Sequence, residues 1–176
     1  MHIKYLNPFR YWRTSKSNKR TRFAWFGKGK DLELEMAVYD EVQPFIPSIT
    51  QGKVVRVYDG DTITIATRID LDGRPSAQLY RFNVRLRGID SPEMRSKNQT
   101  EKLLAIDARD ALHDIVMGQM VSLEGTSYDK YGRLLADVKT LKGLNVGQWM
   151  IEQGYAVNYN GGKKYIPNEW TDVSLV

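Results

Sequence analysis

"VYDGDTITI" occupies residues 57–65. β-Branched and aromatic residues dominate both of its ends, as in two strand pieces. Its middle holds Asp59 and Asp61 on either side of Gly60. Two carboxylates that close repel each other, and each costs solvation if buried. The stretch therefore needs either a turn that leaves the acids in water or a positive charge that neutralises them.

Working outward, a regular β pattern surrounds it. "KVVRVYD" (53–59) reads as one strand and "DTITIATR" (61–68) as the next. "DLDGRPS" (70–76) is a turn region with Asp72-Gly73 as its tip. "LYRFNVRLRGI" (79–89) is a third strand, with Phe82, Val84 and Leu86 alternating against Arg81, Asn83, Arg85 and Arg87. A helix follows. Asn98 and Glu101 resemble a capping box, Leu104, Ala108, Ala111, Leu112 and Ile115 recur at helical spacing, and Gly118 stops it. "MVSLEGTSY" (120–128) and "RLLADVKT" (133–140) are two more strands joined by "DKYG", and "NVGQWMIEQ" (145–153) is a short helix. Three strands, helix, two strands, helix is an α+β order. It predicts a small five-stranded barrel of the oligonucleotide-binding (OB) kind with two or three helices.

The chain divides into three parts on this reading: an N-terminal arm over 1–50, the barrel domain over 51–160 and a short tail over 161–176, where Pro167 discourages helix. The net charge is +5, but it is unevenly spread. Residues 1–30 hold nine Lys and Arg and no acid; residues 31–50 hold five acids and no base. Bases in the arm alternate with Phe9, Tyr11, Trp12, Phe23, Trp25 and Phe26. That mixture suits phosphates and stacked bases. It equally suits a solvated extension, docking on the main domain, or an organellar transit peptide. "DLELEMAVYDEVQPFI" (31–46) reads as a short helix leading to a linker.

Composition excludes several classes. With no Cys there is neither a disulfide framework nor a thiolate metal site, and His2 and His113 are too few for a histidine cage. His113 reads as a helical residue with no chemical task. Any catalytic metal must sit on oxygen, which selects a hard cation such as calcium or magnesium. No apolar run approaches the roughly 20 residues of a membrane span, and the first residues lack the apolar core of a secretory signal. The expectation is a cytoplasmic monomer with no membrane association.

Pairing about the hairpin tip sums to about 145, which brings Asp61 beside Arg85. "GIDSPE" (88–93) ends the third strand and carries Asp90, Ser91 and Glu93, with Pro92 stiffening the turn. Arg133 follows the "DKYG" turn. Each has an ordinary reading: Asp59 and Asp61 as turn acids, Arg85–Asp61 as a surface ion pair, Glu93 as a solvated acid, Arg133 as an edge-strand base. Together they match phosphodiester hydrolysis. Arginine forks and a dication stabilise charge gathering on phosphate oxygens, and a carboxylate activates water. A dication would also relieve the repulsion between the clustered acids.

"VYDGDTITI", "VRLRGIDSPE", "YDKYGRLLADV" and "LNVGQWMIEQGYA", in this order over residues 52–157, closely resemble the staphylococcal nuclease (thermonuclease) family. The resemblance implies calcium ligands at Asp61, Asp90 and the backbone carbonyl of Ser91, with Asp59 reaching the metal through water. It implies catalytic arginines at Arg85 and Arg133 and a general base at Glu93. Lys130 and Tyr131 would contact the terminal phosphate of a bound nucleotide. The implied activity is calcium-dependent cleavage of DNA and RNA with little sequence preference, leaving 3′-phosphate and 5′-hydroxyl ends. The base-stacking aromatic is left open between Tyr155, Tyr159 and Tyr165, and a barrel that only binds nucleic acid or protein is the alternative reading.

Overall fold

The computed structural model describes residues 32–71, 73–162 and 165–171. The expectations for the basic aromatic arm up to residue 31, and for Asp72 at the hairpin tip, lie outside them. The chain divides into two units, Met1–Pro44 and Phe45–Val176. In the first, helix α1 spans Leu32–Met36.

The second unit is a closed barrel with strand order β1-β2-β5-β8-β7. Its strands are β1 (Gln51–Asp59), β2 (Thr62–Thr67), β5 (Tyr80–Leu86), β7 (Met120–Tyr128) and β8 (Leu134–Thr140). β5 and β8 run parallel; the other pairs are antiparallel, and β1 with β7 closes the ring. Two small ladders decorate it: β3 (Asp70–Leu71) with β4 (Arg74–Pro75), and β6 (Ile89–Asp90) with β9 (Val157–Asn158). The five-stranded OB-like barrel expected from the pattern is the observed fold.

Alternation decides which side of each strand faces inward. Val54, Ile63, Ile65, Val84, Leu86, Val121, Leu134, Ala136 and Val138 fill the barrel. Each large aliphatic side chain so buried is worth about 1.5–3 kcal/mol. Helix α2 (Gln99–Val116) closes one end with Ala108, Leu112 and Val116, and α3 (Val146–Glu152) adds Val146 and Met150. The tail contributes too: a 3-10 turn over Asn168–Trp170 buries Trp170 beside α2. Pro167 does preclude an α-helix there, but not a docked turn.

Two local expectations are corrected. Thr62 pairs with Arg85 and Ile65 with Phe82, a register sum of 147 rather than about 145. The β3–β4 ladder at the tip does sum to 145; the shift arises because four residues, 76–79, separate β4 from β5 while only two, 68–69, separate β2 from β3. Asn98 does cap α2, its Oδ1 accepting from the Glu101 backbone N–H at 3.1 Å. The reciprocal half of the box is not made: Asn98 N–H donates to Ser96 Oγ, and the Glu101 side chain turns elsewhere.

Candidate active site

One cleft of about 1070 Å³ opens at the barrel rim. Asp59, Asp61, Arg85, Asp90, Ser91, Glu93, Lys130, Tyr131 and Arg133 all line it. Every residue to which the sequence reading gave a catalytic, metal or phosphate role is therefore in one place, delivered by four different segments. β1 and β2 meet at the Asp59–Asp61 turn, β5 carries Arg85, β6 and the following turn carry Asp90 to Glu93, and the β7–β8 turn carries the rest.

The turn at residues 59–61 is tight for a steric reason. A Cβ on Gly60 would lie 2.8 Å from Ser91 Cβ and 2.9 Å from Ala108 Cβ. Only glycine lets the acid-bearing turn sit down on the 90–93 segment and α2. Asp61 is only 3% exposed. Its Oδ1 accepts from Thr62 Oγ1 at 2.8 Å, and its Oδ2 accepts from the Ser91 N–H at 3.4 Å and pairs with Arg85 Nη1. Arg85 Nη2 reaches Asp90 Oδ1 at 2.9 Å and donates to the Ile89 carbonyl at 3.2 Å. Arg85 thus spans two buried carboxylates. Burial works against its charge, but Asp61 and Asp90 more than offset that and hold its guanidinium above the usual range.

Asp59 sits behind, its Oδ1 accepting from the Asp61 N–H at 3.2 Å. Burial first, then the negative charge of Asp61, push its carboxyl up to about 7. A bound cation would relieve the repulsion from Asp61 that contributes to raising Asp59. The carboxylates offer oxygen donors, the chemistry of a hard oxygen-bound ion. Among the described residues no three acidic side chains converge as a ready-made cage. Asp61 and Asp90 are the two that meet, across Arg85.

The opposite wall is the β7–β8 turn. Gly132 takes φ +77°, open to glycine at no steric cost. Asp129 organises the turn: Oδ1 accepts from the N–H groups of Tyr131 at 2.8 Å and Arg133 at 2.9 Å, and Oδ2 pairs with Arg133 Nε at 2.7 Å. Burial alone would raise the Asp129 carboxyl, but these bonds from Arg133 and Tyr131 outweigh it and hold it below its ordinary value. The Tyr131 ring, 72% exposed, lies 5.0 Å from Lys130 Nζ and 5.5 Å from Arg133 Cζ.

Sequence reasoning missed two residues here, Asp129 and the site role of Glu101, and left a third, Tyr159, open among three tyrosines. Asp129 was legible as a turn acid four positions before an arginine. Glu101, read as a cap partner, is buried, and its Oε1 accepts from the Glu93 N–H at 3.1 Å, tying down the 93 turn. Tyr159 lines the cleft because β6–β9 pairing brings the segment after α3 back across the rim; its N–H donates to the Gly88 carbonyl at 2.8 Å, and its ring centre lies 6.0 Å from Arg85 Cζ. Of the other two tyrosines, Tyr155 packs on Trp149 at 6.0 Å, and Tyr165 is exposed and does not line the cleft.

Comparison with known proteins places the chain in a family. The family model for staphylococcal nuclease homologues matches residues 83–172. An uncharacterised endonuclease of Escherichia coli O157:H7 is 32% identical over 116 residues, covering 66% of this chain and 65% of that protein. A probable endonuclease of Schizosaccharomyces pombe is 33% identical over 86 residues, covering 46% and 37%. Endonuclease YhcR of Bacillus subtilis is 29% identical over 143 residues, covering 75% of this chain but 11% of YhcR. The chain spans about two thirds or less of the length of these relatives.

Proposed function

The chain belongs to the staphylococcal nuclease homologue family, and from that premise we propose that it is a calcium-dependent nuclease acting as a monomer on DNA and RNA. It cuts with little sequence preference and leaves 3′-phosphate and 5′-hydroxyl ends. The observation that carries the reading is the convergence of Arg85, Arg133, Asp61, Asp90 and Glu93 on one cleft.

Each residue has a task that suits its setting. Asp61, Asp90 and the Ser91 carbonyl would hold the cation, with Asp59 behind them. When bound, the cation supplies Lewis-acid stabilisation of phosphate charge. The Arg85 and Arg133 forks enter the cleft from β5 and from the turn leading into its neighbour β8, and donate to the phosphate oxygens as negative charge gathers there. Glu93 takes a proton from the attacking water. The water oxygen bonds to phosphorus, the bond from phosphorus to the 5′ oxygen breaks, and that oxygen takes a proton from solvent and leaves as a hydroxyl, while Glu93 returns its own proton to solvent. Lys130 and Tyr131 hold the neighbouring phosphate, and Tyr159 offers a ring to a base. A barrel used only for binding would gain nothing from four acids facing a polyanion.

The test is digestion of plasmid DNA and single-stranded RNA with calcium, then with excess chelator, with the product ends analysed. Cleavage that stops on chelation and yields 3′-phosphates is expected; cleavage indifferent to the chelator rejects the metal's role. Glu93→Gln should lower the rate by about 10²–10⁴ with binding retained. Normal digestion by that variant removes Glu93 as the base.

A further inference from the structure

β1 carries two bulges, and they fall where its exposed side chains change aim. Its register against β2 shifts between Val54 and Arg56 and again between Val57 and Asp59. Tyr58 is the extra residue of the second bulge. Bulges at barrel rims turn a side chain out of the ladder, and they collect beside active sites. Tyr58 lines the cleft and is 46% exposed.

Two arginines frame that ring. Arg56 Cζ lies 5.6 Å from its centre, and Arg95 Nη2, from the turn after Glu93, donates to its hydroxyl at 3.4 Å. Both arginines are exposed. This arrangement mirrors Tyr131, set between Lys130 and Arg133 on the far wall. The sheet register places the two walls. Asp59 pairs with Thr62, Thr62 with Arg85, and Arg85 with Leu135, one row across the rim. Tyr58 thus precedes one end of this row and Arg133 stands two residues before its other end, three strand spacings around the barrel wall. Arg85 lies within the row.

We infer that Tyr58, Arg56 and Arg95 form a second nucleobase platform, so that the site holds an unpaired strand on both sides of the phosphate at Arg85. The inference rests on the nuclease reading and deepens it. A strand held at both places would present an internal linkage to Arg85. The arginines supply positive charge for flanking phosphates, and the ring is sequence-tolerant because every base has a π face.

The experiment measures binding of a labelled 12-nucleotide single strand by fluorescence anisotropy, with chelator present so that nothing is cut. Tyr58→Ala should weaken binding about tenfold, Tyr58→Trp should restore it, and Tyr58→Leu should not. A 12-base-pair duplex, whose bases are already stacked, should bind Tyr58→Ala as it binds the unaltered chain. Replacing Arg56 and Arg95 together by Ala should reduce the salt slope by about 1.4. The platform is overturned if Tyr58→Ala binds the strand normally, if Leu rescues as well as Trp, if the duplex loses as much, or if the unaltered chain fails to bind the strand. Restoring calcium separates the two readings. A chain that binds through Tyr58 yet cuts nothing breaks the nuclease assignment alone; one that cuts while its affinity ignores Tyr58 loses only the platform.

Discussion

Arg85 and Arg133 face one cleft, but they are held by different means. Arg85, its side chain 13% exposed, is fixed by acids from two other segments: Asp61, 24 positions earlier in the chain, and Asp90 on β6. Arg133, at 28%, is fixed by Asp129, four positions away within a single turn. The first arginine is part of the tertiary structure. The second is latched by its own turn, at the edge of solvent. Charge placed on a substrate phosphate can thus come from a side chain that also supports the fold and from one that does not.

The sharpest way to break this contrast is to remove each arginine. Arg85→Ala and Arg133→Ala should each lower the cleavage rate by about 10²–10³. Their stabilities should diverge. Arg85→Ala strands two buried carboxylates and should cost about 3 kcal/mol in urea unfolding, whereas Arg133→Ala should cost under about 1 kcal/mol. Equal costs would show that the two arginines do not differ in this way.

A smaller effect tests the latch. Asp129→Ala should lower the turnover number about tenfold, because a fork no longer held in position loses much of its orientation. Asp129→Asn should fall between, since its oxygen can still accept from the Tyr131 and Arg133 N–H groups. The carboxyl is held below its usual range in the folded chain, so its contribution is complete above the unfolded value of about 3.9 and fades as pH falls through the lower folded value. Unfolding midpoints of the unaltered chain and Asp129→Asn should therefore differ at neutral pH and converge once pH falls below the lowered folded value. A gap that persists in acid would count against the latch.

The smallest effect belongs to Glu101. Glu101→Ala removes the acceptor for the Glu93 N–H and should lower turnover several-fold, with about 1–2 kcal/mol of stability lost to an unpaired donor. Glu101→Gln keeps an oxygen there and should restore most of the rate. If Gln does no better than Ala, the hydrogen bond is not what positions the turn.

Legibility in the sequence followed the range of each interaction. Alternation in 82–86 and helical spacing in 104–115 mark the core faces, because period is a property of neighbours. The Asp129–Arg133 latch lies within five residues and could have been read there. The Arg85 clamp was half visible: hairpin pairing placed Asp61 beside it, but nothing local told that Asp90 would take its other nitrogen. Glu101 was assigned to the wrong partner because a capping box is the local option, and the 93 turn competes for its side chain only once α2 packs behind it.

Taken alone, the amino-acid order determined the strand and helix segments, the barrel class and the identity of the acids and bases that could serve a phosphate. Those follow from periodicity, turn chemistry and charge, all carried by residues close in the chain. Only the closed barrel decided the register of 147, the return of Tyr159 over the rim, the outward turn of Tyr58 and the burial of Trp170. Each depends on which distant strands share hydrogen bonds, and that is settled by packing one whole sheet around one core.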